Sequence, residues 1–205
     1  MDPRVLELVN SHRLISDQID KPSLIVVLDY LNQVLVKDVP GDIVEMGCYI
    51  GTTSLFIERL LSRYPQPRDL HVYDSFEGLP AKQQLDQGAV GQEFKEGELR
   101  ASKKELVKHF RQANLRQPVI HKGWFKDLKI SDLPGEIAFA FLDGDFYESI
   151  LLSLKLTWPK LAKGGIICID DYNREALPGV EKAVTEYFQS DKAIIKHANI
   201  GIIRK

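Results

Sequence analysis

Two apolar runs that each stop at aspartate constrain the fold more than any other feature of the sequence. Residues 137–142 (IAFAFL) and 165–169 (GIICI) contain no charged side chain. Runs of this length without alternation are typical of strands buried on both faces of a parallel sheet. Asp143 and Asp145 follow the first run, and Asp170 and Asp171 follow the second. Because ligands bind beyond the carboxyl ends of strands in open α/β sheets, we expect these four carboxylates to meet at one rim.

The expected carboxylate rim predicts a bound cation. Like charges held close together repel one another, and an ion of opposite sign relieves that repulsion. Carboxylate oxygens are hard ligands that favour magnesium, calcium or manganese. Asp145 has a plainer interpretation as well, since it could cap the helix that follows it.

The rest of the chain alternates between strand-like and helix-like segments. Three further strands are predicted at residues 43–46, 70–73 and 119–122, and apolar stripes with helical spacing lie between the strands. This alternation implies right-handed crossovers, a mainly parallel twisted sheet and helices on both faces. Residues 193–197 and 200–204 are predicted to form a terminal antiparallel hairpin. The fold class is therefore α/β and Rossmann-like.

We expect the 205 residues to form one domain with two subsidiary segments. Residues 1–40 are predicted to be a helical N-terminal cap. Residues 80–100 are polar and contain Gly88, Gly91 and Gly97, so we interpret them as a lid over the site. Thr52, Thr53 or Ser54 should cap the helix after the first strand, and Lys163-Gly164-Gly165 should end the helix that begins near Ile150.

The first strand-to-helix turn predicts a nucleoside site. Its sequence, residues 45–51 (EMGCYIG), combines an acid with two glycines, Gly47 and Gly51. Glycine permits positive φ and close approach of a ligand to the backbone. Asp74 ends the next strand, where it can accept hydrogen bonds from a ribose diol. A nicotinamide dinucleotide would need a third close glycine, but Tyr49 and Thr52 break that fingerprint, and the spacing suits S-adenosylmethionine better.

Composition and charge bear on the partners and the cellular compartment that we expect for this chain. The net charge of −2 gives no electrostatic reason to expect nucleic acid or a membrane surface as a partner. We expect no signal peptide and no membrane span, because the first residues are polar and no apolar run reaches about 20 residues. The two cysteines, Cys48 and Cys168, lie in predicted core segments and are expected to be free thiols, which fits the cytoplasm.

Several motifs together resemble the macrocin O-methyltransferase family. They occur in family order, between about residues 40 and 190: VEMG at 44–47, YDSFEGLP at 73–80, GWF at 123–125, LDGDFYES at 142–149, and KGG at 163–165 followed by DDY at 170–172. This family comprises class I S-adenosylmethionine-dependent enzymes that methylate sugar hydroxyls of natural products with a divalent cation.

The resemblance implies a role for each matching position. A metal, expected to be Mg²⁺, would be held by Asp143, Asp170 and Asp171, with Asp145 as the candidate base. Trp124 and Phe125 would neighbour the adenine, although both could equally be ordinary core residues. The full set expected to line the cofactor is Glu45, Gly47, Tyr49, Gly51, Thr52, Thr53, Asp74, Ser75, Gly123, Trp124, Phe125 and Asp143.

Three functional hypotheses follow from the sequence. The first is metal-assisted transfer of a methyl group to a small hydroxylated acceptor. This hypothesis is compatible with either a monomer or a homodimer. The second is a different nucleotide-cofactor enzyme, such as an NAD-dependent oxidoreductase. The third is a binding or scaffold protein that keeps the fold without turnover. If Asp145 proved to be a metal ligand, His121 would be the next candidate base.

Overall fold

A mixed β-sheet contains all of the strands predicted from the apolar runs. The computed structural model describes residues 1–88, 90, 94–189 and 194–205. Within these residues, seven strands form one sheet in the order β3-β2-β1-β4-β5-β7-β6. The strands are β1 (Asp42–Met46), β2 (Leu70–Asp74), β3 (Val119–Lys122), β4 (Ile137–Leu142), β5 (Leu161–Ile169), β6 (Ile195–His197) and β7 (Ile200–Arg204).

The first five strands are parallel, and the last two run antiparallel to them. β1 pairs with β2 and β4, β2 with β3, and β4 with β5, all in parallel. β7 pairs antiparallel with both β5 and β6. The predicted α/β class and the predicted terminal hairpin are therefore confirmed; the first strand of the hairpin begins at Ile195, and residue 193, its predicted start, lies outside the described residues. Gly47 and Asp143 directly follow parallel strands and Asp74 ends one, so the three share one rim of the sheet.

Helices cover both faces of this sheet. They are α1 (Pro3–Ser11), α2 (Lys21–Val36), α3 (Thr52–Leu61), α4 (Lys103–Gln112), α5 (Tyr147–Thr157) and α6 (Pro178–Phe188). Phe139 and Phe141 of β4 belong to the core beneath α1 to α4, whereas Ala140 and Leu142 belong to the core beneath α5 and α6. Successive strand residues point to opposite faces, so an uninterrupted apolar strand supplies two cores at once.

The helix before β5 ends earlier than the sequence suggested. The prediction that Lys163-Gly164-Gly165 ends it is wrong. α5 ends at Thr157, and a short 3₁₀ turn covers Trp158–Lys160. Lys163, Gly164 and Gly165 belong to β5. Pro159 has no N–H for a helical hydrogen bond, so the α-helix cannot continue its ladder through this position. Gly164 instead donates its N–H to the carbonyl of Lys205 at 2.9 Å.

The N-terminal segment is helical and capped by aspartates. Asp2 accepts the N–H of Arg4 at the start of α1, and Asp20 accepts the N–H of Ser23 at the start of α2. Each such cap stabilises a helix by about 1 kcal/mol. α1 packs against α2 and α3, and α2 also contacts β5.

The segment predicted to be a lid returns close to its starting point. Leu79 donates its N–H to the carbonyl of Glu98 at 2.8 Å, and Gly97 donates its N–H to Leu79 at 2.9 Å. Between these ends lies a 3₁₀ turn, Gln84–Asp86. Residues 89 and 91–93, including Gly91, lie outside the described residues. The lid assignment remains a prediction.

The cysteines and the lengths of the helices bear on two expectations from composition. Cys48 and Cys168 are both buried and unbonded to one another, as predicted. Across the described ranges, every helix is too short or too polar to cross a bilayer.

Candidate active site

The loops at the carboxyl rim are fixed to one another because the hydrogen-bond ladder of the sheet continues into them. Gly47 donates its N–H to Tyr73, Asp143 to Met46, and Asp170 to Leu142, at distances of 2.8, 2.8 and 2.9 Å. Gly123 donates its N–H to the main-chain carbonyl of Asp74 at 2.9 Å. The first residue of each loop therefore keeps strand-like registration with its neighbour, and the side chains that follow are held on a rigid frame.

A cavity of about 500 Å³ opens at this rim. Its volume falls in the usual range for small-molecule sites. Ten of the residues predicted from the sequence line it: Gly47, Tyr49, Asp74, Ser75, Gly123, Trp124, Phe125, Asp143, Asp145 and Asp171. The glycine turn, the end of β2, the Trp124-Phe125 segment and the carboxylates thus face one space.

The glycine turn adopts the strained backbone that its sequence predicts. Gly47 has φ +91° and Gly51 has φ +92°, and Tyr49 between them has φ +48°. A Cβ at Gly51 would lie 2.3 Å from Cδ1 of Leu106 in α4. Gly51 is thus needed for the packing of α4, and it begins α3 rather than lining the cavity.

Glu45, Thr52 and Thr53 are buried behind the turn and do not line the cavity. Ser54 donates its hydroxyl to Oε2 of Glu45. Thr52 shares a 2.7 Å hydrogen bond with Ser16, which precedes α2. The predicted side-chain cap of α3 is wrong: Gly51 occupies the cap position, and no side chain there accepts a hydrogen bond. The Ser54 hydroxyl is used by Glu45 instead.

Asp74 joins the end of β2 to the glycine turn. Its Oδ2 accepts the N–H groups of Cys48 and Tyr49 at 2.9 and 3.0 Å, and its Oδ1 accepts that of Phe76 at 2.7 Å. A carboxylate offers about four acceptor positions, so Asp74 keeps capacity for a further donor. It therefore shapes the turn and also faces the cavity.

Three aspartates form a close group on the far side of the cavity. One carboxylate oxygen from each of Asp143, Asp145 and Asp171 lies within 4.8 Å of the others. Asp145 has φ +57° and Asp171 has φ +54°, left-handed conformations that aspartate tolerates better than most residues. Phe146 donates its N–H to Gly144 at 2.6 Å, which closes a three-residue turn around Asp145.

Asp170 lies beside this group rather than in it. Its side chain is buried, and its Oδ1 accepts the N–H of Asp171 at 3.0 Å. The expected metal ligands were Asp143, Asp170 and Asp171, whereas the group that the structure brings together contains Asp145 in place of Asp170. Asp143 and Asp171 are common to both sets.

The clustered carboxylates resist ionisation. Burial, and after it the charge of Asp171, raises the pKa of Asp145 to about 7, against the opposing effect of Arg174. Burial and the nearby Asp170 raise the pKa of Asp143 well above its usual range, and burial with Asp171 does the same for Asp170. Burial also raises the pKa of Asp171. Burial therefore disfavours the ionised form of each carboxylate at this end of the cavity.

Most of the chain matches one protein family. Residues 19–201 match the sequence model of the macrocin O-methyltransferase family, TylF. The chain belongs to this family.

Individual relatives agree with the macrocin O-methyltransferase assignment. The chain is 35% identical over 161 residues to the 8-demethyl-8-(2,3-dimethoxy-α-L-rhamnosyl)-tetracenomycin-C 4′-O-methyltransferase of Streptomyces olivaceus, across 75% of this chain and 60% of the relative. It is 30% identical over 171 residues to the demethyldecarbamoylnovobiocin O-methyltransferase of Streptomyces niveus, across 77% and 62% of the two chains. The matched part thus spans about three-fifths of these relatives.

A solved structure extends the similarity to three dimensions. The O-methyltransferase NovP superimposes with a TM-score of 0.76 and 27% identity, covering 89% of this chain and 78% of NovP. The comparisons therefore support a macrocin O-methyltransferase fold and give no support to the oxidoreductase alternative.

The carboxylate group of this macrocin O-methyltransferase family member fits a divalent cation. Its donors are all oxygens, and their separation of at most 4.8 Å lets one ion reach all three. Their pKa values are raised first by burial, and for Asp143 and Asp145 also by the neighbouring carboxylates. Hard-oxygen donor sets of this kind favour magnesium, manganese or calcium over zinc or copper.

The sequence motifs did not reveal Arg174. Its Nη1 lies 3.1 Å from Oδ1 of Asp171, and its guanidinium lies 5.0 Å from the ring centre of Phe94. Arg174 thus connects the carboxylate group to the far end of the predicted lid. Gln18, before α2, and Glu148, in the first turn of α5, also line the cavity. Arg174 and Gln18 lie outside the sequence motifs, and Glu148 lies in the motif at residues 142–149 but was not assigned a role there.

His121, the reserve candidate for the base, does not line the cavity. Its Nε2 lies 3.2 Å from Nδ1 of His71, and its ring stacks on that of Tyr73 with centres 4.2 Å apart. Burial lowers the pKa of His121, and the proximity of His71 lowers it further. His121 lies on β3, where its strand pairs with β2.

Proposed function

We propose that this protein transfers a methyl group from S-adenosylmethionine to a hydroxyl of a small molecule, with the help of a divalent cation. The observation that carries this proposal is one cavity lined by the glycine turn, by Asp74 and by the carboxylate group. The relatives are named for methylation of a rhamnosyl-tetracenomycin and of a novobiocin precursor. We therefore propose a sugar or other natural-product hydroxyl as the acceptor.

The cofactor is proposed to lie across the turn between β1 and α3. Backbone at Gly47 and Tyr49 approaches it closely, Asp74 and Ser75 face its ribose, and Trp124 and Phe125 neighbour its adenine. Glu45, Gly51, Thr52 and Thr53 act indirectly in this proposal, because they are buried behind the turn and hold its shape. Asp143 faces the cofactor from the next strand.

The carboxylates are proposed to hold the cation and to move the proton. Asp143 and Asp171, which belong to the observed carboxylate group, would hold the cation together with the adjacent Asp170, and the bound cation would lower the pKa of an acceptor hydroxyl and fix its oxygen. Asp145 accepts the hydroxyl proton as attack begins. The C–O bond forms as the bond from carbon to sulfur breaks, which leaves S-adenosylhomocysteine and the methyl ether.

Alignment supplies much of the rate in a displacement of this kind. The acceptor oxygen, the methyl carbon and the sulfur must lie nearly in line, and a fixed approach can contribute several kcal/mol. The strand ladder that continues into each loop provides such fixation. The predicted lid at residues 80–100 would exclude water from the cavity while the methyl group is transferred.

The proposed partner is a small hydroxylated molecule rather than a nucleic acid or a membrane. The net charge of −2 supports this choice, because it gives no general attraction to a phosphate backbone. We place the reaction in the cytoplasm. A scaffold protein that keeps the fold without turnover is the competing function.

The proposal is tested by incubating the protein with methyl-labelled S-adenosylmethionine, magnesium and a panel of glycosides, flavonoids and catechols. Label should appear on an oxygen of at least one acceptor and should vanish in Asp143→Asn. Asp127→Asn serves as the matched control, because Asp127 is an exposed aspartate outside the cavity. Binding of S-adenosylhomocysteine without transfer to any acceptor would favour the scaffold function.

A further inference from the structure

Asp86 is a buried carboxylate that the proposed chemistry does not use. It lies in the predicted lid segment, at the end of the 3₁₀ turn Gln84–Asp86, and only 1% of it is exposed. Burial of a carboxylate is costly unless hydrogen bonds compensate it. Asp86 accepts two main-chain N–H groups: that of Gln83 at 3.2 Å and that of Tyr147 at 2.6 Å.

The contact with Tyr147 places Asp86 at the N-terminus of α5. Tyr147 is the first residue of that helix, and Phe146 in the cap position has no side chain that can accept a hydrogen bond. The first N–H groups of a helix lack partners within it and carry partial positive charge. Asp86, 61 residues earlier in the chain, therefore supplies the cap that the local sequence lacks.

Gly179 provides the space that Asp86 needs. A Cβ at position 179, in the first turn of α6, would lie 2.1 Å from Oδ1 of Asp86 and 2.9 Å from the main-chain nitrogen of Tyr147. The carboxylate is thus enclosed where α5, α6 and the lid segment meet. Two exposed contacts join the same elements: Gln83 donates to Glu148, and Lys182 donates to the carbonyl of Leu85.

We propose that Asp86 is a positioning residue that fixes the start of α5 and thereby orients Asp145. Asp145 is two residues before Tyr147, in a strained three-residue turn that Phe146 closes. Displacement of the helix start would alter this turn directly. This inference rests on the proposed function, because it assigns Asp86 an effect on the methyl-transfer step.

The chain offers a matched control for the local role of Asp86. Asp132 ends a second 3₁₀ turn, Ile130–Asp132, and accepts the N–H of Lys129 at 2.8 Å, as Asp86 accepts that of Gln83. Asp132 is exposed, and its carboxylate contacts no helix N-terminus among the hydrogen bonds of the described residues. Asp132→Ala therefore removes a turn-capping carboxylate without disturbing α5.

The experiment compares the parent with Asp86→Ala, Asp86→Asn and Asp132→Ala. In Asp86→Ala, the Tyr147 amide should exchange its hydrogen about tenfold faster, since its acceptor is gone. kcat should fall about 10- to 100-fold, the scale for a displaced reacting group, while KM for S-adenosylmethionine stays within about twofold. Asp86→Asn keeps an oxygen that accepts the Tyr147 N–H, and should retain protection and most of the parent rate. Asp132→Ala should match the parent.

The results separate this inference from the proposed function. Unchanged Tyr147 exchange in folded Asp86→Ala would overturn the inference, and so would an equal loss of kcat in Asp132→Ala. A slow Asp86→Asn with a protected Tyr147 amide would also overturn it. If the parent itself transfers no methyl group, the proposed function fails, whereas the exchange data still report whether Asp86 holds the start of α5.

Discussion

A Cβ at Gly47 would stand 1.9 Å from the carbonyl oxygen of Asp143. The backbone of the cofactor turn therefore touches the backbone of the carboxylate loop. Gly47 also has φ +91°, a conformation that other residues rarely adopt. One glycine thus fixes the distance between the proposed cofactor turn and the proposed metal site.

This contact predicts a large effect of Gly47→Ala on stability. The positive φ and the clash with a main-chain oxygen should together lower the free energy of unfolding by about 2 kcal/mol or more. The change is measured as the shift of the urea midpoint. Gly135→Ala is the control, because a Cβ there would meet nothing within 4 Å. Equal midpoints for Gly47→Ala and Gly135→Ala would contradict the assignment.

Glu45 predicts a pH-dependent contribution to stability. Burial raises its pKa to about 8, although the hydrogen bond from Ser54 opposes that rise. Between its ordinary pKa and about 8, the folded protein binds a proton at Glu45 that the unfolded chain releases, so stability falls as pH increases through this window. Glu45→Gln should lose this dependence, and the stability difference between variant and parent should shift toward the variant from pH 5 to pH 8. Parallel urea midpoints for both proteins across that range would refute the raised pKa.

Asp74 should contribute to cofactor affinity through the ribose. Asp74→Ala should weaken binding of S-adenosylhomocysteine by about 1–3 kcal/mol, the scale for hydrogen bonds to a charged group. Because Asp74 also supports the turn through Cys48 and Tyr49, calorimetry should include an analogue without the two ribose hydroxyls. The parent should discriminate between the two ligands, and Asp74→Ala should not. Equal discrimination by both proteins would remove the ribose assignment.

The fold was predictable because its strands can be recognised as apolar runs that end at acids or glycines. The strand at Ile137–Leu142 was predicted with its observed bounds, since six apolar residues before Asp143 leave little choice. The end of α5 was harder to place, because the effect of Pro159 competed with an apolar stripe that continues to Leu161. Local spacing alone did not decide between helix and strand there.

The site was predictable only where a residue follows its own strand. Asp74, Asp143 and Asp171 sit at strand ends, and all three line the cavity. Arg174 and Asp86 reach their places through contacts between elements distant in the chain, so no local pattern marked them. Ser54 was one of three candidates to cap α3, with Thr52 and Thr53, but it bonds Glu45, because a buried carboxyl group competes for the hydroxyl.

The proposed division of labour among the aspartates predicts different responses to magnesium. Asp171→Asn should bind the cation more weakly, so excess magnesium should restore part of its methyl-transfer rate. Asp145→Asn should bind cofactor and cation nearly as the parent does, yet lose about 10²–10⁴-fold in rate, the range for removal of a general base. The measurement is the rate as a function of magnesium concentration. Rescue of Asp145→Asn by magnesium would make Asp145 a ligand, in line with its place in the observed carboxylate group.

The proposed function depends most on cation-assisted methyl transfer in the carboxylate-lined cavity. The direct measurement is the initial rate of label transfer from S-adenosylmethionine to an acceptor glycoside before chelation, after chelation, and after magnesium is returned. We predict transfer by the untreated protein, loss of at least about 10²-fold of the rate on chelation, and recovery with magnesium, since the cation lowers the pKa of the attacking hydroxyl. An unchanged rate after complete removal of divalent cations would contradict the account.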